Sequence, residues 1–84
     1  MLLHEVGIAH SILEAVRTEM KPYVDAKPVK VTVKVGAMSG VDRDSLSFCF
    51  EAITLGTPFE KMILAIEDAS ADELELKDLE LEGP

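Results

Sequence analysis

The first regular pattern in the chain is a helical one. Apolar side chains recur every four positions between residues 5 and 21, at Ile8, Ile12, Val16 and Met20. This spacing predicts an amphipathic helix, and Pro22 directly after it is typical of a helix end. Residues 29 to 35 then alternate Val with Lys or Thr without a break. That alternation predicts a strand with its valines in the core and Lys30, Thr32 and Lys34 in water.

A second helix is predicted after the Gly-Ser-Gly region that ends the strand. Asp42 is a good N-cap residue, and Gly56 followed by Pro58 would end the helix. One face of this helix carries Leu46, Cys49, Phe50 and Ile53. A second apolar side is formed by Phe48, Ala52 and Leu55, so we expect the helix to be broadly buried.

Two further strands are predicted at residues 62 to 67 and 73 to 82. The first is apolar over most of its length, which favours a central position in the sheet. In the second, Leu74 and Leu76 are at even positions and Leu79 and Leu81 at odd ones, so a regular strand would place the two pairs on opposite faces. A β-bulge near Lys77-Asp78 would bring all four leucines to one face. The short polar connection at 68 to 72 predicts an antiparallel hairpin between these strands.

The element order is therefore α-β-α-β-β, with residues 1 to 84 forming a single domain. The simplest way to bury these apolar faces is a two-layer α+β fold, with two helices packed on one face of a three-stranded sheet.

Charge and cysteine content exclude several classes of function. The net charge is −8, and residues 67 to 82 hold eight acids against one base. An acidic surface repels phosphate, so we expect no nucleic-acid or anionic-membrane partner. The single cysteine, Cys49, excludes a four-cysteine zinc site and is best read as a buried thiol.

No catalytic signature occurs, so we do not expect an enzyme. Neither a membrane span nor a basic secretory start is apparent, which favours a cytoplasmic protein.

The candidate metal ligands are the two histidines. His4 and His10 are six residues apart, so they would not share a helix face or chelate one metal together. We interpret His10 as an exposed helix residue. His4 lies near the chain terminus, where an imidazole and neighbouring backbone nitrogens can form a square-planar site for Ni(II) or Cu(II).

Three segments resemble one known family. The opening from His4 to Leu13 resembles the Met-His-Glu start of HypA-type nickel chaperones, and Val31 to Val41 is similar to their strand ending in Gly-x-x-Ser-Gly-Val. The block from Ser45 to Thr57, with its Phe-x-Phe-Glu and Thr-x-Gly-Thr motifs, is the most specific match.

The resemblance implies a mixed three-stranded sheet and a function in delivering nickel to a nickel enzyme such as [NiFe]-hydrogenase. It also implies two partners, the hydrogenase large subunit and a HypB-type GTPase. The family's N-terminal His-Glu maps onto His4 and Glu5, which we expect to bind Ni(II) weakly through the imidazole and backbone nitrogens. The oligomeric state stays open, and a homo-oligomer is among the alternatives.

The chain departs from the family pattern in two ways. Leu2 and Leu3 precede His4, so a chelate that includes the terminal amine must form differently. The zinc module that the family inserts between its last two strands is replaced by a short loop near 68 to 72, so we expect no zinc. The alternative function is a metal-free protein-interaction module derived from the same family.

Overall fold

The computed structural model describes residues 2–83, with side chains from His4 onward. The first helix, α1, spans Leu2–Met20. Its predicted apolar stripe faces the interior, where Val16 is fully buried and Ile12 nearly so, and Ala9 and Leu13 widen the buried face. The predicted helix is thus confirmed, with its start three residues earlier.

The first strand, β1, spans Lys27–Gly36. Val31, Val33 and Val35 are buried on the core face as predicted. Two details of the prediction are wrong. Val29 is 40% exposed because the pairing of β1 shifts between Pro28 and Lys30, and Thr32 is only 8% exposed although it lies on the polar face.

The second helix, α2, spans Arg43–Thr54, and Asp42 caps it as predicted. Gly56 adopts a φ of 79°, a left-handed conformation that glycine adopts without steric cost directly after the helix. The expectation of broad burial is wrong, because Phe48 and Leu55 are 67% and 69% exposed. Only the face with Leu46, Cys49 and Phe50 packs in the core.

The remaining strands are β2, at Ile63–Ala69, and β3, at Leu74–Glu82. Their predicted arrangement is wrong. The strand order is β2-β1-β3, with β2 parallel and β3 antiparallel to β1, so β1 is central and the last two strands are not a hairpin. The sheet is mixed, and the two-layer α+β architecture with order α-β-α-β-β is confirmed.

The predicted β-bulge is confirmed. Thr32 pairs with Asp78 and Val33 pairs with Leu76, which leaves Lys77 as the extra residue. Because the bulge reverses the parity of the strand, Leu79 faces the core together with Leu76.

The connection between β2 and β3 crosses the end of β1. Strands in a sheet lie about 4.8 Å apart, so the segment from Ser70 to Glu73 needs to span only about 10 Å. It passes so close to Gly36 that a Cβ atom there would lie 2.2 Å from the carbonyl oxygen of Ala71. The backbone nitrogen of Gly36 donates to the carbonyl oxygen of Glu73 over 2.8 Å. A short connection is therefore compatible with a crossing as well as with a hairpin.

Both helices pack on one face of the sheet, where α1 lies over β1 and β3 and α2 lies over β2. The helices also pack extensively against each other. This arrangement brings the start of α1 close to the start of α2.

Candidate metal-binding site

His4 lies in the first turn of α1, and its side chain is 55% exposed. The first turn of a helix has N–H groups with no acceptor inside the helix, so the amides around His4 lie where the intrahelical ladder is incomplete. The imidazole is therefore accessible to a solvent ion, and it stands beside backbone nitrogens of the kind that square-planar metals use. Met1, with the terminal amine of this chain, lies outside the described residues, as do the side chains of Leu2 and Leu3.

Glu5, the second predicted ligand residue, has a side chain that is completely buried. Its Oε2 accepts a hydrogen bond from the backbone nitrogen of Asp42 over 2.9 Å. The same oxygen lies 3.8 Å from Nδ1 of His4, which is contact range but too long for a hydrogen bond. Glu5 thus connects the exposed imidazole to the start of α2.

The hydrogen bond from the backbone of Asp42 lowers the pKa of the Glu5 carboxyl, and this outweighs the opposing effect of burial. The carboxylate is consequently ionised at neutral pH. Its negative charge is also favourable next to two helix N-termini, each of which carries partial positive charge.

The cap of α2 is shared between two side chains from different parts of the chain. The Oδ1 of Asp42 accepts from the backbone nitrogen of Ser45 over 3.0 Å, which is an ordinary N-cap bond. In a capping box, a glutamate at the position of Ser45 would reach back to the backbone nitrogen of the cap residue. Here Glu5 of α1 supplies that acceptor.

Asp42 is predictable from the sequence as the helix cap, but its contact with Glu5 is not. The two residues are separated by 37 positions. The sequence gives only an indirect indication of this contact. Ser45 occupies the position of a capping-box glutamate, so the backbone nitrogen of Asp42 needs an acceptor from another part of the chain.

Other candidate residues are not brought to this place. Between residues 2 and 83, no group of three or more His, Cys, Asp and Glu side chains could hold a metal ion. Cys49 is buried, as predicted. A mostly apolar groove of about 590 Å³ opens beside His4 between α1 and the edge of β3, and His10 does not line it. Within the same part of the chain, no helix is long and apolar enough to cross a membrane.

The fold of two helices on a mixed three-stranded sheet is shared with proteins of known structure. "Solution structure of HypA protein" superposes with a TM-score of 0.79, covering 95% of this chain and 97% of that one at 17% identity. "Solution structure of the Ni metallochaperone HypA from Helicobacter pylori" gives a TM-score of 0.69, covering 88% of this chain and 70% of that one at 18% identity. At these identities the likeness establishes the fold.

The family follows from the sequence. The family model described as "Hydrogenase/urease nickel incorporation, metallochaperone, hypA" matches residues 3–78. The chain therefore belongs to the HypA family. Its curated relatives include the hydrogenase maturation factors HypA of Geotalea daltonii, 39% identical over 69 residues, and of Chlorobaculum parvum, 36% identical over 69 residues.

The match covers 82% of this chain in both cases but only 60% and 61% of those relatives. The chain thus spans about three fifths of the length of the curated relatives that it matches.

Proposed function

We propose that this protein is a nickel metallochaperone-like protein that binds Ni(II) weakly at His4-Glu5 and serves the maturation of a nickel enzyme such as [NiFe]-hydrogenase. The observation that carries the proposal is the position of His4, whose half-exposed imidazole lies in the first turn of α1 beside a buried, ionised carboxylate. Membership of a nickel-incorporation family supports the choice of metal and the absence of catalysis.

The proposed ligands are the imidazole of His4 and backbone nitrogens around it, including that of Glu5. Fused chelate rings need successive nitrogens in one plane, whereas a helix rotates successive amides by about 100°. Ni(II) binding therefore requires the first turn of α1 to unwind. Amides in that turn give up few intrahelical hydrogen bonds, so this rearrangement is less costly there than elsewhere in the helix.

The buried side chain of Glu5 would limit the rearrangement to the part of the chain up to and including its own backbone nitrogen. Its hydrogen bond to the backbone of Asp42 holds α1 against α2. The carboxylate also lies near enough to the imidazole to favour its orientation, as acidic neighbours of metal-bound histidines commonly do. We therefore assign the Glu5 side chain a positioning role.

The proposed partners are a hydrogenase large subunit, which would receive the nickel, and a HypB-type GTPase. Family membership supports both. Zinc is not part of the proposal, because the chain has one cysteine and none of the described side chains cluster as a zinc site.

The test is a nickel titration of protein with an untagged N-terminus. Binding is measured by calorimetry and by the absorption of square-planar Ni(II). His4→Ala should abolish stoichiometric binding, whereas His10→Ala, which changes an exposed histidine of the same helix, should leave it unchanged. Saturating nickel should weaken the far-ultraviolet circular-dichroism signal of helix by the amount that about one helical turn contributes.

Two outcomes count against the proposal. Equal nickel affinity of His4→Ala and the parent would place the metal elsewhere. A parent protein that binds a maturation partner but no nickel would favour the metal-free interaction module instead.

A further inference from the structure

An open groove runs between α1 and the edge strand β3. It has a volume of about 590 Å³ and is mostly apolar, and Leu74 on its β3 side is 42% exposed. A second cavity of about 280 Å³ continues the groove along β3, because Leu76 lines both cavities and Leu81 lines the second. The apolar face of β3 is therefore only partly covered by α1.

The α1 side of the groove has the spacing and the small side chains that helix packing requires. Its lining residues include a row at steps of four and three positions, formed by His4, Ile8, Ser11, Ala15 and Glu19. Such residues lie along one side of a helix, and Ser11 and Ala15 are small enough to let a second helix approach closely. The row is about 22 Å long, and β3 covers about 23 Å from Leu74 to Leu81. A helix of about 15 residues would fill this length.

A further strand is a less suitable occupant than a helix. The outer edge of β3 is interrupted by the bulge at Lys77 and carries a run of acidic side chains, and both features disfavour pairing with another strand. The leucines of β3 that remain partly exposed face the layer of the helices instead. An occupant of the groove therefore has to lie in that layer, beside α1.

The charges at the groove favour a basic occupant. Glu75 lines the groove, and Glu19 and Asp78 line its continuation. Among residues 2–83, the one lysine or arginine that lines either cavity is Lys77, which is already paired with Glu67. A second copy of this chain does not supply the missing charge. It carries −8, and both of its helices contain more acidic residues than lysines and arginines.

We propose that the groove docks a basic amphipathic helix of a partner protein. The apolar side of that helix would cover Leu74 and Leu76, and its lysines or arginines would lie near Glu75 and Glu19. The inference deepens the proposed function, because His4 lines the same groove and the docked helix would lie next to the imidazole proposed to hold nickel.

The test is an NMR titration of the metal-free chain with a synthetic peptide of about 15 residues, in which leucines follow helical spacing and lysines fill the other positions. This peptide should shift the amide signals of Ser11, Ala15 and Leu76. A peptide with glutamate in place of every lysine should bind at least about tenfold more weakly, because the groove is acidic.

Two variants of α1 locate the contact. Ser11→Lys places a long cationic side chain in the groove and should raise the dissociation constant of the lysine peptide by about tenfold or more. His10→Lys is the matched control, because it introduces the same side chain at the adjacent exposed position, which does not line the groove. Circular dichroism of both variants should match that of the parent, which separates loss of binding from loss of folding.

Several results would overturn the proposal. They are equal binding by Ser11→Lys and His10→Lys, equal binding of the two peptides, and shifts that cluster around Leu55 and Ile63 at the opposite edge of the sheet. Shifts of the groove amides that depend on protein concentration without peptide would assign the groove to a second copy. Absence of peptide binding would also overturn the proposal. Because the titration contains no metal, this failure is distinguishable from a failure to bind nickel.

Discussion

Lys77 on β3 donates to both carboxylate oxygens of Glu67 on β2, over 2.9 and 2.8 Å. Since β1 separates these strands, the ion pair bridges the two edges of the sheet across its polar face. Lys77 is the extra residue of the bulge, directly beside the pairing of Thr32. Glu67 is paired with Lys34 in the sheet, so the bridge passes over the middle of β1. Thr32, which alternation alone would place in water, pairs with Ala65 of β2 and Asp78 of β3 beside this ion pair and is only 8% exposed.

The first prediction concerns the acidity of Glu67. The hydrogen bonds from Lys77 hold the pKa of the Glu67 carboxyl below its ordinary value, with smaller help from Lys34 and Lys30. Lys77→Met should therefore raise this pKa, and Lys34→Met should raise it less. Carboxyl chemical shifts measured by NMR over an acid titration provide the values.

The sign of the pH effect follows from linkage. A lowered folded-state pKa stabilises the fold above the ordinary pKa of glutamate, and this contribution disappears as the pH falls through the folded value. Parent and Lys77→Met should thus converge in stability at low pH. A gap between them that widens on acidification would contradict the role given to this ion pair.

The second prediction concerns Gly36. In Gly36→Ala, the new methyl group would meet the backbone of the segment that crosses β1, at 2.2 Å from the oxygen of Ala71. Backbone at this distance must move, and we expect a loss of about 2 kcal/mol or more in the free energy of unfolding. Urea denaturation at constant pH measures it.

Gly7→Ala is the matched control. Gly7 lies in α1, and apart from its chain neighbours and the backbone of its own helix no atom lies within 4 Å of the position a Cβ would take, so the substitution should stabilise the protein by about 0.5–1 kcal/mol. If Gly36→Ala were as stable as the parent, the close crossing would be wrong.

The third prediction concerns Ala71, which adopts a φ of 48° in the same crossing segment. A non-glycine residue in this left-handed region is strained, so Ala71→Gly should increase stability by about 1 kcal/mol. Ala69→Gly, at the end of β2, should have the opposite sign because glycine weakens a strand. Thermal and urea unfolding of both variants can be compared directly, and equal effects at the two positions would argue against strain at Ala71.

The fourth prediction concerns Glu5. Glu5→Gln keeps an oxygen that can accept from the backbone of Asp42 but removes the charge at the two helix N-termini, so it should lower the melting temperature. Glu5→Ala should lower it further, because the acceptor is also lost. Glu14→Gln, at an exposed position of the same helix, should have little effect.

Acidification gives a second check on Glu5. Its pKa is lowered in the folded state, so the stability difference between the parent and Glu5→Gln should be fully present at neutral pH and should shrink as Glu5 protonates. A difference that persists unchanged below the folded pKa would mean that charge plays no part in holding α1 against α2.

These residues also show what the sequence could and could not reveal. Helix positions, the Asp42 cap and the bulge are local patterns within one element, and each was predictable. Strand order was not, because an apolar run such as residues 63 to 66 can lie at an edge when one of its sides is left open, as Ile63 shows. The same reason explains the error for Phe48, since an apolar side chain does not reveal whether the fold supplies a partner for it.

The candidate site was predictable only in part. His4 and Glu5 could be named from a resemblance at the start of the chain, and the structure places them side by side. The hydrogen bond from the backbone of Asp42 to Glu5 depends on how two helices pack, and no period or spacing in the sequence encodes it. The ion pair between Lys77 and Glu67 across β1 could not be predicted either, because it depends on the order of the strands in the sheet.

The passage of the β2–β3 connection over β1 makes this end of the sheet a natural insertion point. The two strand ends stand about 10 Å apart, on either side of the end of β1. Domains whose termini lie close together at the surface can be accommodated at such a place. The residues between Ser70 and Glu73 could therefore be replaced by a folded domain without altering any residue pair of the sheet. The close contact at Gly36 and the hydrogen bond from the backbone nitrogen of Met38 to the carbonyl oxygen of Ala71 would have to be replaced.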